Sequence, residues 1–277
     1  MKISLITATL GRVEEINDLL NSLVLQTYKN FEIIIVDQNC HTMVEKVVEK
    51  YKNDLNIIYI RNQTRGLSLN RNIGLKECSG DIIAFPDDDC YYDKNVLESI
   101  NNLFIKNENV KFCACSAHDN VSKERFIVKQ HNTIKRWQIL KYCISYNVFV
   151  RNNKAAKFDE NLGVGTYFSS GEETDYLFSI IDKGDYGLFV KDSKVFHPAN
   201  NINDISGERA YCYGLGFGAL FKKDILLRRN YLYTLLFLYY ILRSLVGVLC
   251  KFQKKEIYQK TLHGRIRGFI EFKLNSI

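Results

Sequence analysis

Three consecutive aspartates, Asp87, Asp88 and Asp89, follow the apolar run "DIIAF" and a proline. A single aspartate there would be explained as a solvated turn or a helix N-cap. Three adjacent carboxylates repel one another, and hard divalent cations such as Mg²⁺ and Mn²⁺ bind carboxylate oxygens together with substrate phosphates. A cation would also relieve the repulsion. The cluster therefore predicts a site for a metal and a phosphate at the end of a strand.

Two other places carry side chains that can do chemistry: Glu172 and Glu173 in "GEETDYLF", and His197 in "KVFHPAN". Two carboxylates in the first turn of a helix either complement the helix dipole or supply a general base. A lone histidine is more often structural. However, the only two prolines, Pro86 and Pro198, lie beside the aspartates and beside His197, and proline makes a turn rigid. We therefore keep His197 as a candidate metal ligand.

The first 95 residues alternate apolar, β-branched runs with amphipathic helical segments. The runs lack polar alternation, which indicates strands covered on both faces. A β-α-β-α-β-α-β order predicts an α/β fold with a mostly parallel sheet flanked by helices. Such sheets bind ligands beyond the carboxyl ends of their strands, where Thr9, Asp37 and the aspartates fall. The predicted strands are 3–9, 31–37, 55–62 and 81–89. Helices are predicted over 12–26 and 42–53, and residues 66–80 are predicted to form a turn, a helix and a closing glycine, Gly80.

The pattern between residues 96 and 205 is more mixed. The periodicity predicts helices over 95–107 and 171–184, a strand over 110–117, and a strand, a turn and a second strand over 186–198. We expect residues 1–205 to form one domain, divided near residue 95, and residues 206–277 to form a basic, apolar helical extension.

The extension contains a stretch of 20 residues, Tyr231–Cys250, with the single charge Arg243. Its length is enough for a membrane-spanning helix. Basic residues on both sides conflict with a single span, and a central arginine costs about 2.5–3.5 kcal/mol on insertion. The pattern favours a helix that lies in the cytoplasmic membrane interface or re-enters it. A spanning helix and a soluble core or oligomer helix remain the alternatives.

Composition limits the cellular setting. The net charge of +7 fits an anionic partner, which would be a nucleotide, a nucleic acid or an acidic membrane surface. Of the eight cysteines, only Cys113 and Cys115 are close together, which is a poor zinc signature and favours reduced thiols. The segment "MKISLITATLGR" lacks the features of a signal peptide. We expect a cytoplasmic protein, peripheral at the inner face of the cell membrane.

Three segments resemble family 2 glycosyltransferases, which have the Rossmann-like GT-A fold. "ISLITATLGR" resembles the family's "ISVIIPTYNR", "FEIIIVDQNC" resembles "FEIIVVDDGS", and "GLSLNRNIGLKECSGDIIAFPDDDC" resembles "GLSAARNxGLxxAxGxYIxFLDDDD". "GEETD" looks like the family's "GEDxD". The chain departs from the family at Ala8, Gln38 and Glu173, where proline, an acidic residue and aspartate are commoner. The Q-x-x-R-W motif of the processive enzymes is absent, which favours transfer of one sugar at a time.

The resemblance implies inverting transfer of a sugar from a UDP- or dTDP-sugar to an acceptor hydroxyl, with Mn²⁺ or Mg²⁺ as cofactor. The acceptor would be a glycan or a lipid-linked glycan of cell-surface polysaccharide synthesis, with the cytoplasmic membrane surface as a partner and no nucleic acid. By their matching positions, the resemblance places Thr9 in the nucleotide pocket, Asp37 at the base and Arg71 near the diphosphate. It places Asp87 and Asp88 nearest the ribose and diphosphate, and it makes Asp89, the last residue of the DXD motif, a metal ligand, with His197 completing the metal site. Glu173 would be the catalytic base, with Glu172 as the alternative.

Two other functions fit parts of the same pattern. A sugar-nucleotide pyrophosphorylase shares the sheet and the metal carboxylates, but its glycine-rich opening loop is absent after Ile6. A non-catalytic scaffold could bind a nucleotide or a partner at the membrane, but the intact Asp89 and Glu173 argue against it. Release of pyrophosphate from a nucleoside triphosphate and a sugar phosphate would identify the first alternative. Loss of transfer with binding retained in Glu173→Gln would exclude the second.

Overall fold

We describe residues 1–125, 132–182, 184–198 and 205–274 of a computed structural model of the chain. The chain divides into two compact units, each described by itself. The first unit comprises Met1–Arg65, Leu69–Lys157 and Tyr176–Ala199, and the second comprises Gly66–Ser68, Phe158–Asp175 and Asn200–Ile277. The predicted extension 206–277 thus lies in the second unit, which also takes in a segment from the middle of the chain.

The first four strands of the first unit form a parallel sheet, as expected. Strand β1 (Ile3–Thr9) pairs with β2 (Phe31–Asp37) on one side and with β4 (Ile82–Ala84) on the other, while β3 (Ile57–Arg61) pairs with β2. Every residue of β2 is buried, and β1 is buried except at Ala8. Because both faces of these strands are covered, their sequences are nearly continuous apolar runs without polar alternation. The connecting helices are α1 (Glu14–Val24), α2 (Met43–Glu49) and α3 (Leu67–Glu77).

Beyond β4 the sheet is mixed. Strand β8 (Val148–Arg151) lies antiparallel between β4 and β6 (Phe112–Asp119), and β9 (Tyr186–His197) runs parallel to β6. The short strands β5 (Tyr91–Tyr92) and β7 (Thr133–Lys135) pair antiparallel with β9. The α/β fold is confirmed, with the parallel order concentrated in β1–β4. The remaining helices of this unit are α4 (Val96–Lys106) and α5 (Ile139–Tyr142), and α6 (Glu172–Ile180) begins in the second unit.

Strand β9 corrects one expectation from the sequence. Residues 186–198 were expected to form a strand, a turn and a second strand, but Tyr186–His197 is one strand of 12 residues. The expected turn is a bulge: Cys115 of β6 pairs with Val190, whereas the next residue, Ser116, pairs with Lys194. Both halves therefore pair with the same neighbour in the same direction, which a reversing turn would not allow.

The second unit is helical in its C-terminal part. Helix α7 (Gly207–Lys222) continues into a π-helical turn (Lys223–Leu227), and α8 (Leu232–Cys250) and α9 (Lys255–Glu271) follow. Helices α7 and α9 approach each other at glycines of both helices. A Cβ atom added at Gly268 would overlap the Leu215 carbonyl, so the two backbones touch there.

Helix α8 confirms the predicted apolar segment. Within the described residues it is the one helix long and apolar enough to cross a membrane, and only 22% of its apolar window is buried. Arg265 of α9 donates hydrogen bonds of 2.7 Å to the Tyr240 carbonyl and the Ser244 hydroxyl, which ties the buried side of α8 to α9. The other side of α8 is exposed and apolar. It consists of Leu232, Leu235, Leu238, Tyr239, Leu242, Leu245, Val246 and Leu249, and the exposed Tyr231 directly precedes the helix.

Candidate active site

The aspartate cluster lies just beyond the carboxyl end of β4, as the sequence predicts. The chain leaves β4 through Pro86, whose carbonyl accepts a hydrogen bond of 3.1 Å from the Thr7 hydroxyl of β1. The amide of Cys90 then donates to the Asp87 carbonyl at 3.2 Å, which closes a tight turn around the three aspartates. One bond from the neighbouring strand β1 and one bond within the turn therefore fix the position of the cluster.

Asp87 is held by side chains from two other elements. Its Oδ1 atom accepts from Arg71 Nη2 of α3 at 2.9 Å and from the Ser145 hydroxyl at 3.0 Å. The Arg71 side chain is 1% exposed, and its guanidinium also lies 5.8 Å from the centre of the Phe85 ring. A buried arginine fixes the orientation of a carboxylate more firmly than an exposed one does, because it has few other conformations.

Asp88 is bonded to a hydroxyl and to a guanidinium. The Thr9 hydroxyl donates to its Oδ2 atom at 2.8 Å, and Arg12 Nη1 lies 3.0 Å from its Oδ1 atom. Burial raises the pKa of Asp88 to about 6, and the adjacent carboxylates act in the same direction, while Arg12 and Thr9 act against them. The Asp88 side chain is therefore ionised at neutral pH at a cost in folding stability.

Asp89 and His197 face each other. Asp89 Oδ1 lies 3.1 Å from His197 Nε2, and the other carboxylate oxygen, Oδ2, contacts Arg12. Burial acts to raise the pKa of Asp89, but the contacts with His197 and Arg12 outweigh it and lower the pKa. Burial likewise acts to lower the pKa of His197, and the neighbouring carboxylates of Asp89 and Asp87 outweigh it and raise the pKa.

The orientation of the His197 ring is fixed from two sides. Its Nδ1 atom lies 2.8 Å from the carbonyl of Pro198, and a carbonyl can only accept, so Nδ1 carries a proton. The Tyr146 ring stacks on the imidazole with centroids 4.4 Å apart and an interplanar angle of 6°. In the neutral ring, Nε2 is therefore left with its lone pair directed at the carboxylates, the usual arrangement of a metal-binding histidine.

These residues fit a divalent cation. One oxygen each of Asp87 and Asp89 and a ring nitrogen of His197 lie within 4.8 Å of one another. Asp89 Oδ1 is buried and makes no hydrogen bond, although His197 Nε2 lies 3.1 Å away. A buried carboxylate oxygen without a hydrogen bond is costly unless another group binds it. The two carboxylates suit Mn²⁺ and Mg²⁺, which prefer oxygen ligands, and the imidazole would be an additional nitrogen ligand.

Asp37 lies at the end of β2 but is engaged elsewhere. It is fully buried; its Oδ1 atom accepts from the Asn39 amide side chain at 2.7 Å, and its Oδ2 atom accepts from the Tyr59 hydroxyl at 2.6 Å. Burial, together with the bond to Asp37, raises the pKa of Tyr59. Asn39 in turn accepts from the Gly11 amide at 2.7 Å. Asp37 thus connects the segments that follow β1 and β2 with strand β3.

In the second unit, Glu172 and Glu173 occupy the first turn of α6, as the sequence predicts. Glu172 is 6% exposed, whereas Glu173 is half-buried. Gly163 has a φ of +98°, and a Cβ atom there would lie 3.1 Å from the Glu172 side chain, so a glycine loop packs directly on Glu172. Glu173 is therefore the more accessible of the two carboxylates.

The following aspartate of "GEETD" belongs to a buried ion network. Asp175 is 2% exposed and accepts from Lys223 Nζ at 2.8 Å and from Arg228 Nη2 at 2.7 Å. Lys223 also lies 2.6 Å from Asp159, and Arg228 lies 3.6 Å from Asp224. The π-helical turn after α7 places Lys223 and Asp224 in this network, which anchors the first turn of α6.

The structure thus gathers six of the predicted site residues in the first unit: Thr9, Arg71, Asp87, Asp88, Asp89 and His197. Sequence reasoning missed three others. Arg12 contacts both Asp88 and Asp89. Ser145 donates a hydrogen bond to Asp87, and Tyr146 stacks on His197. Arg12 follows a predicted strand end and could have been found there. Ser145 and Tyr146 precede β8, whose antiparallel placement beside β4 no local signal indicated.

A family model described as Glycosyl transferase family 2 matches residues 4–164, which is more than half of the chain. The match includes the strand ends of β1 and β2 and the whole aspartate cluster. The chain belongs to glycosyl transferase family 2. The family resemblance read from the sequence is thereby confirmed.

Two curated relatives share parts of the sequence. An uncharacterized glycosyltransferase of Rickettsia conorii is 28% identical over 218 residues, which cover 77% of this chain and 36% of that protein. The Staphylococcus aureus poly(ribitol-phosphate) beta-N-acetylglucosaminyltransferase TarS is 35% identical over 102 residues, which cover 35% of this chain and 18% of TarS. The chain therefore spans about a third or less of the length of these relatives.

Solved structures share the fold. A fragment of S. aureus TarS in complex with UDP-GlcNAc superposes with a TM-score of 0.63 at 17% identity, over 97% of this chain and 82% of that one. The mannosyltransferase PcManGT of Pyrobaculum calidifontis, in complex with GDP-Man and Mn²⁺, gives 0.67 at 11% identity, over 98% and 88% of the two chains. At these identities the likeness concerns the fold alone, and it confirms the expected fold class.

Proposed function

We propose that this chain transfers a single sugar, with inversion, from a nucleoside-diphosphate sugar to an acceptor hydroxyl. The observation that carries the proposal is the meeting of Asp87, Asp89 and His197 at the strand-end edge of a family 2 glycosyltransferase domain. The ligands in the TarS and PcManGT structures are nucleotide sugars, with Mn²⁺ in the second, and they support a donor of this class. We expect a UDP- or dTDP-sugar.

On the donor side, Asp89 and His197 would hold Mn²⁺ or Mg²⁺, with Asp87 as a third ligand. When bound, such a cation neutralises the charge that develops on the departing diphosphate. Because Arg71 is almost fully buried and bonded to Asp87, we assign it to orienting that carboxylate and not to touching the diphosphate. Asp88 and Thr9, which are bonded to each other, face the nucleotide.

We assign Asp37 a positioning role in nucleotide binding. Both of its oxygens are occupied within the protein, so it acts through the groups that it holds, the Tyr59 hydroxyl and the Asn39 amide. Substitution by asparagine would remove the charge-assisted bond to Tyr59 and loosen the loop that begins at Gly11.

We assign the catalytic base to Glu173, with Glu172 as the alternative. Both positions match the family's acidic pair, and Glu173 has the more accessible side chain. Its carboxylate would take the proton of the acceptor hydroxyl as that oxygen attacks the anomeric carbon on the face opposite the leaving diphosphate. Asp175, which the ion network holds, fixes the helix turn that carries the base.

We place the reaction at the cytoplasmic membrane surface, with a glycan or a lipid-linked glycan as acceptor. The support is the exposed apolar side of α8, from Leu232 (77% exposed) to Leu249 (71% exposed), with Lys251 and other basic residues just beyond it. A helix that buries its apolar face among lipid tails and places basic residues at the headgroups is bound by both effects. The name of TarS supports a polymeric acceptor.

The test is release of nucleoside diphosphate from a panel of UDP-, dTDP- and GDP-sugars with Mn²⁺, using extracted membranes as the source of acceptor. Asp89→Asn should abolish release, and the matched control Asp54→Asn, an exposed aspartate after α2, should leave it unchanged. An α-linked donor should give a β-linked product. Equal turnover by Asp89→Asn would overturn the metal assignment. Pyrophosphate release from a nucleoside triphosphate and a sugar phosphate would replace the proposal with the pyrophosphorylase.

A further inference from the structure

Arg12 occupies a position between two carboxylates of the candidate metal site. Its Nη1 atom lies 3.0 Å from Asp88 Oδ1 and also contacts Asp89 Oδ2. The Arg12 side chain is 41% exposed, whereas those of Asp88 and Asp89 are 13% and 10% exposed. An exposed guanidinium thus closes the outer side of a carboxylate pair that is otherwise almost buried.

Asp89 is shared between Arg12 and the candidate cation position. Arg12 contacts the Oδ2 atom, and the Oδ1 atom lies 3.1 Å from His197 Nε2 with no hydrogen bond. A divalent cation on the Oδ1 side and the guanidinium on the Oδ2 side would be two positive charges on one carboxylate. Since like charges at this separation disfavour each other, Arg12 weakens binding of the cation while it remains in place.

The backbone beside Arg12 is anchored, so a change in its contacts must come from the side chain. Gly11 has a φ of +77°, a conformation that favours glycine, and its amide donates to Asn39 Oδ1 at 2.7 Å. Asn39 is itself bonded to the buried Asp37. Rotation of the long Arg12 side chain about its own bonds needs no movement of this segment.

We propose that Arg12 couples cation binding to donor binding. Without a donor, Arg12 neutralises Asp88 and Asp89 and keeps the affinity for the cation low. When a diphosphate arrives, its oxygens offer the guanidinium the bidentate partner that it prefers, and Arg12 transfers from the carboxylates to the phosphates. The carboxylates are then free to bind the cation. This inference rests on the proposed function, because it assumes a nucleoside-diphosphate ligand.

The coupling must be reciprocal. If UDP raises the affinity for Mn²⁺ by some factor, Mn²⁺ raises the affinity for UDP by the same factor. Removal of the Arg12 charge should therefore strengthen Mn²⁺ binding to the free protein. It should also reduce, by the same factor, the gain in Mn²⁺ affinity caused by UDP and the gain in UDP affinity caused by Mn²⁺. Substitution of a residue that merely stabilised the loop would leave unchanged the factor by which each ligand raises the affinity for the other.

The experiment is a titration with Mn²⁺, followed by electron paramagnetic resonance, with and without UDP, on the full chain. For Arg12→Gln we expect about tenfold tighter Mn²⁺ binding without UDP and an about tenfold smaller enhancement by UDP. Arg12→Lys, which keeps the charge, should keep most of the enhancement. The matched control is Arg267→Gln in α9, whose side chain is 46% exposed and paired with Glu271. It should behave as the wild type.

Two results would overturn the inference, and they are distinguishable. If Arg12→Gln and the wild type bind Mn²⁺ equally with and without UDP, the coupling role is wrong and the metal site stands. If the wild type binds no Mn²⁺ even with UDP, the metal site of the proposed function is wrong, and the coupling falls with it. Circular dichroism of each variant checks that the fold is retained.

Discussion

The aspartate cluster and helix α8 depart from the usual distribution of side chains in opposite directions. In the first unit, Asp88 and Asp89 bring negative charge to positions only 13% and 10% exposed. In the second unit, α8 exposes Leu235 at 68% and Leu242 at 58%. Buried like charges lower the folding stability, whereas exposed leucines leave apolar surface in water, and a binding partner would relieve each. These are the two regions for which we propose different partners, a cation with its anionic substrate for the cluster and a membrane for α8.

A third arrangement shows what buried charge looks like when the protein itself supplies the partners. Asp175 is 2% exposed, and two cations, Lys223 and Arg228, bind its oxygens. Nothing outside the chain is needed to balance it. We therefore expect removal of a carboxylate to have opposite effects on folding stability at Asp175 and in the aspartate cluster.

The largest expected effect is on activity, at Asp89. Asp89→Asn keeps the size of the side chain but removes one anionic ligand of the cation and the partner of His197. We expect sugar transfer to fall by at least about 100-fold, because electrostatic stabilisation of the leaving diphosphate is lost. Nucleoside diphosphate release measures the effect. Near-normal activity with unchanged Mn²⁺ dependence would contradict it.

The next effect is on stability, at Asp175. Asp175→Asn leaves Lys223 and Arg228 without the carboxylate that they share, and it should lower the free energy of unfolding by about 3 kcal/mol. Glu49→Gln is the matched control, because Glu49 forms an exposed pair with Lys52 and its side chain is 54% exposed. It should change stability by less than about 0.5 kcal/mol. Urea unfolding measures the free energy of unfolding of both variants. If the two variants lost equal stability, the ion network around Asp175 would contribute no more than an exposed ion pair.

Substitution of Asp88 should raise the free energy of unfolding, in contrast to Asp175, and the gain should depend on pH. Its pKa of about 6 lies above the ordinary value, so the folded state is penalised when Asp88 ionises. That penalty is absent below the unfolded pKa near 4 and complete above pH 6. Asp88→Asn should therefore stabilise the protein by about 2 kcal/mol at pH 7.5, and the gain should disappear towards pH 4. A variant less stable than the wild type at pH 7.5 would mean that Arg12 and Thr9 already compensate the charge.

The smallest effect concerns α8 and leaves the fold intact. Replacement of Leu235 and Leu242 by glutamate should weaken binding to vesicles of phosphatidylethanolamine and phosphatidylglycerol by at least about tenfold, because apolar area no longer enters the lipid. The control Gln259→Glu adds a negative charge to an exposed position of α9 and should bind normally. Vesicle flotation measures binding. Dissociation of an oligomer in the leucine variant, with vesicle binding unchanged, would instead assign the face to a second copy of this chain.

The parts of the fold that the sequence predicts are those with strong local signals. Strands β1 and β2 are continuous apolar runs that end at a polar residue, and their observed bounds, Ile3–Thr9 and Phe31–Asp37, match the predicted ones. Strand β4 is shorter than predicted, because the chain turns at Pro86 to form the aspartate cluster. The strand order in the mixed half of the sheet could not be predicted in the same way, because the pairing of β8 with β4 depends on residues far apart in sequence.

The candidate site shows the same division. The aspartates and Thr9 follow strand ends, and the rule for parallel sheets brings them together. Ser145 reaches Asp87 across 58 positions of the chain, and Tyr146 stacks on His197, so no local pattern marks either. Asp37 illustrates another limit. Its position was predictable, but its bonds to Asn39 and Tyr59 depend on side-chain geometry that only the folded chain defines.

The bulge in β9 makes the position of His197 depend on the length of a segment outside the cluster. In a regular ladder, Ser116 would pair with Lys191 and His197 would fall three residues beyond its present partner, Asp119. That displacement is about 10 Å along the sheet, and, because three is an odd number, the imidazole would emerge on the opposite face. An insertion or deletion within residues 191–193 that shifts the pairing would thus be as consequential for the cation site as substitution of the histidine itself.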